Sequence, residues 1–314
     1  MNVLISGGTT PLGLRIAERL VGKGAVLLVG REDPDTVEVP EGARYLQVDL
    51  TRPRRVRRLL FGPCQEHAIK TVVHLAFHRA PGRTGQRAHR LNVDAARLML
   101  RLAEEHPYIE RFVLRSSSSV YVDRSEQPDV LREDQPLNLD PTAPQWMRDR
   151  VEVDVTVCGR MGLSPVHVNV LRCSEILAPR MGSQLYDYLS SRVCVRPLGF
   201  DPVLNVLSLD DAARAFELAL SCPEEGVLNV PGADTLTLSR LIQLWGRTEL
   251  PVPGPLVGPL YRARAVTRGR SFDYRSNKRR FHFNGVLDGE RARRLMGYEP
   301  NAPIVWPTQG SSVA

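Results

Sequence analysis

A glycine-rich turn near the start of the chain has the spacing of a phosphate-binding loop. Gly7, Gly8 and Gly13 follow the apolar run at residues 3–5, which is typical of a short buried strand. In the spacing G-x-x-G-x-x-G the middle position is Thr10, where a glycine normally lets the backbone approach a pyrophosphate. The turn predicts a dinucleotide site in which Gly8 supplies part of the missing room. A turn that has lost its ligand is the alternative.

The residues after this turn read as an amphipathic helix, which makes the glycine pattern more informative. Leu14, Ala17 and Leu20 share one face, and Pro11 suits the first helical turn because its missing N–H costs nothing there. Strand, glycine turn and helix together indicate dinucleotide binding, since the start of a helix attracts a pyrophosphate. The cofactor residues expected here are Gly7, Gly8, Thr10, Pro11, Leu12 and Gly13.

Cofactor choice is usually made after the second strand of such a unit, predicted here at residues 25–29. The strand ends in Gly30-Arg31-Glu32-Asp33. An acid at this point holds the ribose 2′-OH of NAD, whereas an arginine suits the 2′-phosphate of NADP. Because Arg31 comes before the two acids, the sequence favours NADP over NAD. Three solvated loop charges are the other interpretation, and a degenerate site would hold no cofactor.

Composition excludes several other classes of protein. Hydrophobic residues make up 42% and charged residues 25% of the 314 residues, as in ordinary globular proteins. The five cysteines form no C-x-x-C, so neither a zinc site nor a disulfide framework is expected, and a reducing cytoplasm is the expected location. The net charge of +7 comes with only three lysines among 42 basic residues, an arginine bias typical of GC-rich codon usage. We therefore expect no nucleic acid partner, no membrane span and no signal peptide.

Strands alternate with helical segments through the first half of the chain. This order predicts an α/β fold, a Rossmann-like doubly wound parallel sheet that binds ligands at the carboxyl ends of its strands. The strands are expected at residues 3–5, 25–29, 45–48, 71–75, 111–114, 166–171 and 227–230, and long helices at 89–105 and 144–161. We expect a dinucleotide-binding domain over residues 1–175 with parts of 203–230. A smaller substrate or partner lobe and a C-terminal tail are expected over 176–314.

The second half of the chain is less regular but carries recognisable helix caps and a basic stretch. Ser208 and Thr237 each precede an apolar helical pattern. Eight basic residues lie between 262 and 280: Arg262, Arg264, Arg268, Arg270, Arg275, Lys278, Arg279 and Arg280. This stretch is interpreted as a solvated face, with an anionic ligand, a partner or a lipid headgroup as the alternative.

The order of short motifs resembles the extended short-chain dehydrogenase/reductase superfamily, the group of NAD-dependent epimerases and dehydratases. The motifs are SGGTTPLG at 6–13, Asp49-Leu50, His74-Leu75-Ala76, Asn92-Val93, SSSSVY at 116–121, Leu171-Arg172, LSLDD at 207–211 and GYEP at 297–300. The resemblance implies further cofactor positions at Asp49, Leu50, Leu75, Ala76 and Asn92. For Asn92 the alternative is a backbone bridge inside its helix. The segments at 198–202, 227–232 and 251–253 resemble a bacterial subgroup that is sometimes found joined to phospholipid acyltransferase-like domains, a hint of lipid or envelope metabolism.

The resemblance also implies a catalytic set of Ser or Thr, Tyr and Lys, of which only the first is present. Ser117 matches the serine, whereas the best alignment puts Trp146 and Arg150 at the tyrosine and lysine, with Asp154 where the family helix often carries an acid. In the family the ammonium lowers the phenol pKa and the phenol exchanges a proton with the substrate. An indole N–H only donates and a guanidinium stays protonated, so this mechanism cannot operate here.

Other residues could replace the missing acid. His78 follows the fourth strand and is a candidate, with a loop or helix-cap residue as its alternative interpretation. Tyr121 lies beside the serines but is commonly structural in the family. Tyr274 and Lys278 spell Y-x-x-x-K, yet they fall in the basic stretch and are better explained by chance.

The sequence thus predicts an NAD(P)-binding member that lacks the usual pair and acts as a sensor, scaffold or partner. The alternative is an oxidoreductase or epimerase with a different proton path, acting on a nucleotide-linked sugar or a lipid-like substrate. The expected partners are a small molecule or another protein. A homodimer through the helices after the fourth and fifth strands is expected from the resemblance.

Overall fold

The computed structural model describes residues 1–78, 85–122, 129–268 and 272–307. The strands are β1 Val3–Ser6, β2 Val26–Gly30, β3 Ala43–Gln47, β4 Thr71–His74, β5 Arg111–Ser117, β6 Val130–Leu131, β7 His167–Cys173, β8 Glu175–Ile176, β9 Val193–Pro197, β10 Val203–Leu207, β11 Gly226–Val230, β12 Asp234–Thr237, β13 Thr248–Val252 and β14 Val286–Leu287. The helices are α1 Pro11–Leu20, α2 Pro53–Leu59, α3 Gln86–His89, α4 Ala95–Glu104, α5 Gln145–Cys158, α6 Gln184–Leu189, α7 Leu209–Ala219, α8 Leu238–Leu244, α9 Gly254–Arg268, α10 Tyr274–Asn277 and α11 Glu290–Met296.

A seven-stranded parallel sheet lies at the centre, in the order β11-β7-β5-β4-β1-β2-β3. Every residue of β1, β2 and β4 is buried, as expected for parallel strands covered on both faces. The chain starts at β1 and builds the sheet outward in both directions, so the strand order reverses beside β1. The predicted α/β fold class is confirmed, and each of the seven predicted strands is present.

Helices cover both faces of this sheet. On one face α1 and α7 pack together and bury Leu12, Ile16 and Phe216. On the other face α2, α4 and α5 bury a second apolar cluster that includes Met99 and Val157. The helix predicted at 89–105 begins earlier, at α3. It continues through a π-helical segment at Arg90–Asp94 into α4. The helix predicted at 144–161 is α5.

The second half of the chain adds three small sheets, β12-β10-β8, β13-β9 and β14-β6, beside an aromatic cluster. Tyr188, Tyr261, Phe272 and Phe281 contact one another in this cluster. Residues 203–230 divide between the two parts of the fold. Strand β11 belongs to the seven-stranded sheet and α7 packs on α1, whereas β10 belongs to the sheet β12-β10-β8. The domain boundary at 175 stays a prediction.

Helix formation extends into the basic stretch despite Pro259, which lies inside α9. Of the eight basic residues there, Arg270 lies outside the described residues. Ser208 and Thr237 cap α7 and α8, as the sequence predicts. Within the expected C-terminal tail, Ile304 and Trp306 are buried in the aromatic cluster, and residues 308–314 lie outside the described part. Among the helices that the structure describes, none is both long and apolar enough to span a membrane.

Candidate functional site

The three glycines of the first turn are required by close packing against neighbouring backbone and side chains. Gly7 has φ +68°, and a Cβ there would lie 2.9 Å from the backbone nitrogen of Ala76. A Cβ on Gly8 would lie 2.8 Å from Cβ of Leu28, and one on Gly13 would lie 2.7 Å from Cα of Gly8. The turn is therefore held tightly between β2, the end of β4 and the start of α1, as a dinucleotide-binding turn must be.

Thr10 occupies the position where the spacing lacks a glycine, and its side chain caps α1. Its hydroxyl donates to the carbonyl of Gly7 at 2.7 Å and accepts from the N–H of Gly13 at 3.0 Å. Pro11 has no N–H, so the N–H of Leu12 remains as the first-turn donor for a phosphate. The turn fits a pyrophosphate at the start of α1, with the Cβ of Thr10 beside its path.

After β2, the structure brings Glu32 rather than Arg31 against the glycine turn. Glu32 Oε2 accepts from the hydroxyl of Thr9 at 2.8 Å and from the backbone N–H of Arg31 at 2.9 Å. The side chain of Arg31 is exposed. The sequence shows Glu32 only as one of three loop charges. Its contact with Thr9 could not be predicted, because the two residues are 23 positions apart.

The predicted cofactor positions after β3 support the loop that they occupy. Asp49 Oδ1 accepts from the N–H and the hydroxyl of Thr51 at 3.0 and 2.7 Å. Partial burial opposes its ionisation, but these two donors outweigh burial and lower the pKa of Asp49. Leu50 is buried in the core beneath α2. The described hydrogen bonds of Asp49 are therefore within the loop that leads into α2, whereas Leu50 belongs to the core.

The segment after β4 is held by a short polar chain. Asn92 Oδ1 accepts from the backbone N–H of His78 at 2.8 Å, and its Nδ2 donates to Asp149 on α5, also at 2.8 Å. His89 Nδ1 lies 2.9 Å from the same carboxylate, and this hydrogen bond raises the pKa of His89. Asn92 thus bridges three segments and positions His78, which differs from a bridge within its own helix.

The serine run after β5 divides between two roles. Ser116 donates to Asp154 on α5 at 2.5 Å, which ties the end of the strand to the helix. Ser117 Oγ accepts from the N–H of Ser119 at 3.3 Å and from its hydroxyl at 3.1 Å. Ser116 and Ser117, the last two residues of β5, both line the cavity described below.

Trp146 and Arg150 lie one turn apart on α5, and Arg150 reaches the serine run. The guanidinium of Arg150 lies 4.8 Å from the ring centre of Phe77 and 5.4 Å from that of Trp146. Its Nη1 donates weakly to Ser119 Oγ at 3.4 Å. Burial and, next, the neighbouring Arg115 lower the pKa of Arg150 to about 10. Arg150 is consequently a cation at neutral pH and cannot accept a proton.

Two donors of this pair are buried without an acceptor. Within the described residues, neither Trp146 Nε1 nor Arg150 Nε has a hydrogen-bond partner. Unsatisfied buried donors are uncommon in folded proteins and require an explanation. At this position they lie where the resemblance implies a phenol and an ammonium.

Tyr121 belongs to a structural network behind the site. Its hydroxyl donates to Asn229 Oδ1 at 2.6 Å and accepts from Arg172 at 3.2 Å, and burial raises the pKa of Tyr121 to about 12. Arg172 in turn forms two hydrogen bonds with Asp154, at 2.6 and 3.0 Å, and both side chains are buried. Arg172 is a residue whose structural importance sequence reasoning missed.

One cavity collects several of the predicted residues. It is lined by Thr10, Leu75, Phe77, His78, Arg115, Ser116, Ser117, Arg150, Val153, Arg180 and Met181. Ala76 lies against Gly7, and Trp146 lies behind Arg150, whereas Arg31, Asp49, Leu50 and Asn92 do not line the cavity. Tyr274 is buried in the aromatic cluster while Lys278 is exposed, so this pair does not form a dyad.

A second cavity lies beyond the serine run and leads towards the aromatic cluster. Its wall includes Ser119, Phe272 and the ion pair of Glu175 with Arg280, whose charged atoms are 2.7 Å apart. Burial opposes ionisation of Glu175, but Arg280, the Ser183 hydroxyl at 2.5 Å and the charge of Arg150 together outweigh it and lower the pKa of Glu175. The sequence offered no signal for this pair, which joins residues 105 positions apart.

This fold and the glycine turn define an α/β protein built around a dinucleotide-type site, and comparison with known proteins gives its family. The sequence model of the NAD dependent epimerase/dehydratase family matches residues 3–190. The chain therefore belongs to this family.

Individual relatives and solved structures are also similar to this chain. An uncharacterized protein of Mycobacterium tuberculosis is 27% identical over 307 residues, 95% of this chain and 80% of the relative. The D-erythronate dehydrogenase of Cupriavidus necator is 32% identical over 155 residues, 44% of each chain. The UDP-glucose 4-epimerase of Thermotoga maritima, solved with UDP-glucose, has a TM-score of 0.73 at 17% identity and covers 96% of this chain and 94% of its own. The dTDP-glucose 4,6-dehydratase of Bacillus anthracis, solved with NAD, has a TM-score of 0.72 at 16% identity, with 98% and 94% covered. These structures share the fold.

Proposed function

We propose that the chain is an NAD-binding member of its family that lacks the Tyr/Lys proton relay and works as a nucleotide-dependent sensor, scaffold or partner. The observation that carries this proposal is the pair on α5. Trp146 can only donate, and Arg150 remains protonated between two aromatic rings. Losing a positioned acid or base costs a factor of about 10²–10⁴ in rate.

The position of Glu32 supports NAD over the NADP that Arg31 suggests. The Glu32 carboxylate lies against the glycine turn, where an acid would accept from the ribose 2′-OH and repel a 2′-phosphate. The positive end of α1 and the N–H of Leu12 are the donors for the pyrophosphate. When bound, NAD would supply a hydride acceptor at the cavity that Ser117 lines.

The second candidate is an active NAD(P)-dependent oxidoreductase or epimerase in which His78 replaces the tyrosine. His78 and Ser117 line the same cavity, which favours His78 over Tyr121 and the Tyr274/Lys278 pair as the replacement acid. The D-erythronate dehydrogenase relative suggests a small hydroxy acid as substrate, whereas the two structural neighbours suggest a nucleotide sugar.

Calorimetric titration of the purified protein with NADH and with NADPH tests the proposal. We expect NADH to bind more tightly than NADPH, and we expect Glu32→Gln to reduce this preference. Gly13→Val, which places a side chain against Gly8, is the variant that should lose both ligands. Absence of binding to either nucleotide by the folded protein would refute NAD binding.

Turnover assays then separate the two candidates. With NAD bound, the non-catalytic proposal expects no oxidation of hydroxy acids or nucleotide sugars above background, and Ser117→Ala should change nothing. The second candidate expects measurable turnover that Ser117→Ala and His78→Gln both reduce by at least tenfold.

A further inference from the structure

We propose that Arg150 is the anchor of a binding site for a small organic carboxylate, in the cavity that His78 and Ser117 also line. Arg150 replaces the lysine of the family pattern, but the described contacts leave most of its hydrogen-bonding capacity unused. Its Nη1 makes one weak bond of 3.4 Å to Ser119, and its Nε has no partner among the described residues. A guanidinium presents paired donors whose spacing matches the two oxygens of a carboxylate.

The wall of the cavity favours an anion. Three arginines, Arg115, Arg150 and Arg180, line it together with His78 and hydroxyl groups, and no acidic residue is among the lining residues that the structure describes. A cation in such a place is costly to bury unless an anion accompanies it. A bound carboxylate would meet that need.

The nearest acid, Glu175, attracts Arg150 electrostatically but forms no hydrogen bond with it among the described contacts. Glu175 lines a neighbouring cavity that Arg150 and Arg115 also line, but its carboxylate is already held by Arg280 at 2.7 Å and by Ser183 at 2.5 Å. Its negative charge also favours a singly charged carboxylate over a phosphate dianion, because the second charge would increase the repulsion.

The carboxylate site rests on the proposed function only for its position beside the cofactor. Arg150 holds the anion whether or not NAD is bound, so the two proposals fail independently. A carboxylate that binds through Arg150 to a protein that binds no NADH would refute the proposed function and leave this inference standing.

Glycerate, a small hydroxy acid, is the probe, and its binding is measured by calorimetry with and without NADH. We expect glycerate to bind, neutral glycerol to show no heat, and inorganic phosphate to bind more weakly than glycerate. Arg150→Met should weaken glycerate binding at least tenfold. Arg150→Lys keeps the charge but loses the paired donors, so an intermediate affinity is expected.

The matched control is Arg148→Met, which removes an exposed arginine from the same helix and should leave glycerate binding unchanged. An equal loss with Arg148→Met would mean a diffuse charge effect and would overturn the proposal. Unchanged glycerate binding in Arg150→Met would also overturn it, as would phosphate binding more tightly than glycerate. If Arg150→Met does not fold, the same comparison is made between Arg150→Lys and wild type.

Discussion

Thr10→Gly should improve dinucleotide binding, since it restores the middle glycine of the turn. Thr10 is the N-cap residue of α1, two positions before Leu12, and its hydroxyl caps the helix through Gly13. Removing the side chain opens the approach of a phosphate oxygen to the N–H of Leu12. The same change removes the cap, so its effects on affinity and on stability need to be separated.

The two effects differ in size. A hydrogen bond to a charged group contributes about 1.5–3 kcal/mol, so one recovered phosphate contact should tighten NADH binding by about tenfold or more. Glycine is itself acceptable at a helix N-cap, and replacing a capping threonine by glycine costs only a few tenths of a kcal/mol. We therefore expect a clear gain in affinity with almost unchanged stability.

Calorimetric titration with NADH measures the affinity, and urea unfolding measures the stability. Thr10→Ser keeps the hydroxyl and the Cβ, and should behave like wild type in both assays. Thr10→Val keeps the bulk but loses the cap, so it should cost about 1 kcal/mol of stability without tightening binding. An NADH affinity of Thr10→Gly equal to or below that of wild type, with normal stability, would show that the pyrophosphate does not pass this side chain.

Three further predictions concern the core and the missing relay. Arg172→Met leaves the buried Asp154 carboxylate unpaired and should lower the free energy of unfolding in urea by about 3–5 kcal/mol, with much of it recovered in Arg172→Met/Asp154→Leu. Burial lowers the pKa of His74 to about 4, so the unfolded state binds the extra proton between about pH 6.5 and 4. The free energy of unfolding should therefore fall across this window as pH decreases, by up to about 1.4 kcal/mol per pH unit. In His74→Asn, the free energy of unfolding measured in urea should depend less on pH between about 6.5 and 4. Trp146→Tyr/Arg150→Lys should create measurable NAD-dependent turnover; if wild type is active and the double variant is not, the alignment of these two positions is wrong.

The fold could be predicted because the strands of the central sheet are short runs of apolar residues. Each of the seven predicted strands forms, and the glycine turn, Ser208 and Thr237 lie where their local patterns place them. These features depend on contacts close in sequence. The α9 helix was not predicted, because Pro259 and two glycines in its first turns oppose a helix locally, whereas packing against β9 stabilises it.

Candidate site residues could be predicted from the sequence only where a short motif marks their position. Ser117 and the α5 positions follow from motif order, but the reach of Glu32 to Thr9 and the pairing of Glu175 with Arg280 depend on tertiary contacts. The sequence also cannot show that Arg150 Nε lacks an acceptor, because an acceptor could be supplied by any segment of the folded chain. The charge of the cavity therefore emerges only when β4, β5 and α5 are assembled.

Helix α5 is held to the sheet by polar contacts that use neither Trp146 nor Arg150. Helix α5 is attached to the sheet through Asp154, which binds both Ser116 and Arg172, one turn away from Arg150. This attachment does not use the positions where the family places its tyrosine and lysine. Substitution at Trp146 and Arg150 consequently changes the chemistry of the cavity and leaves the support of the helix in place. An aromatic ring and a cation are still present there, but the cation now carries paired donors and a fixed charge. A guanidinium holds an anion well and transfers a proton poorly, which is why we propose anion binding and not proton transfer as the role of Arg150.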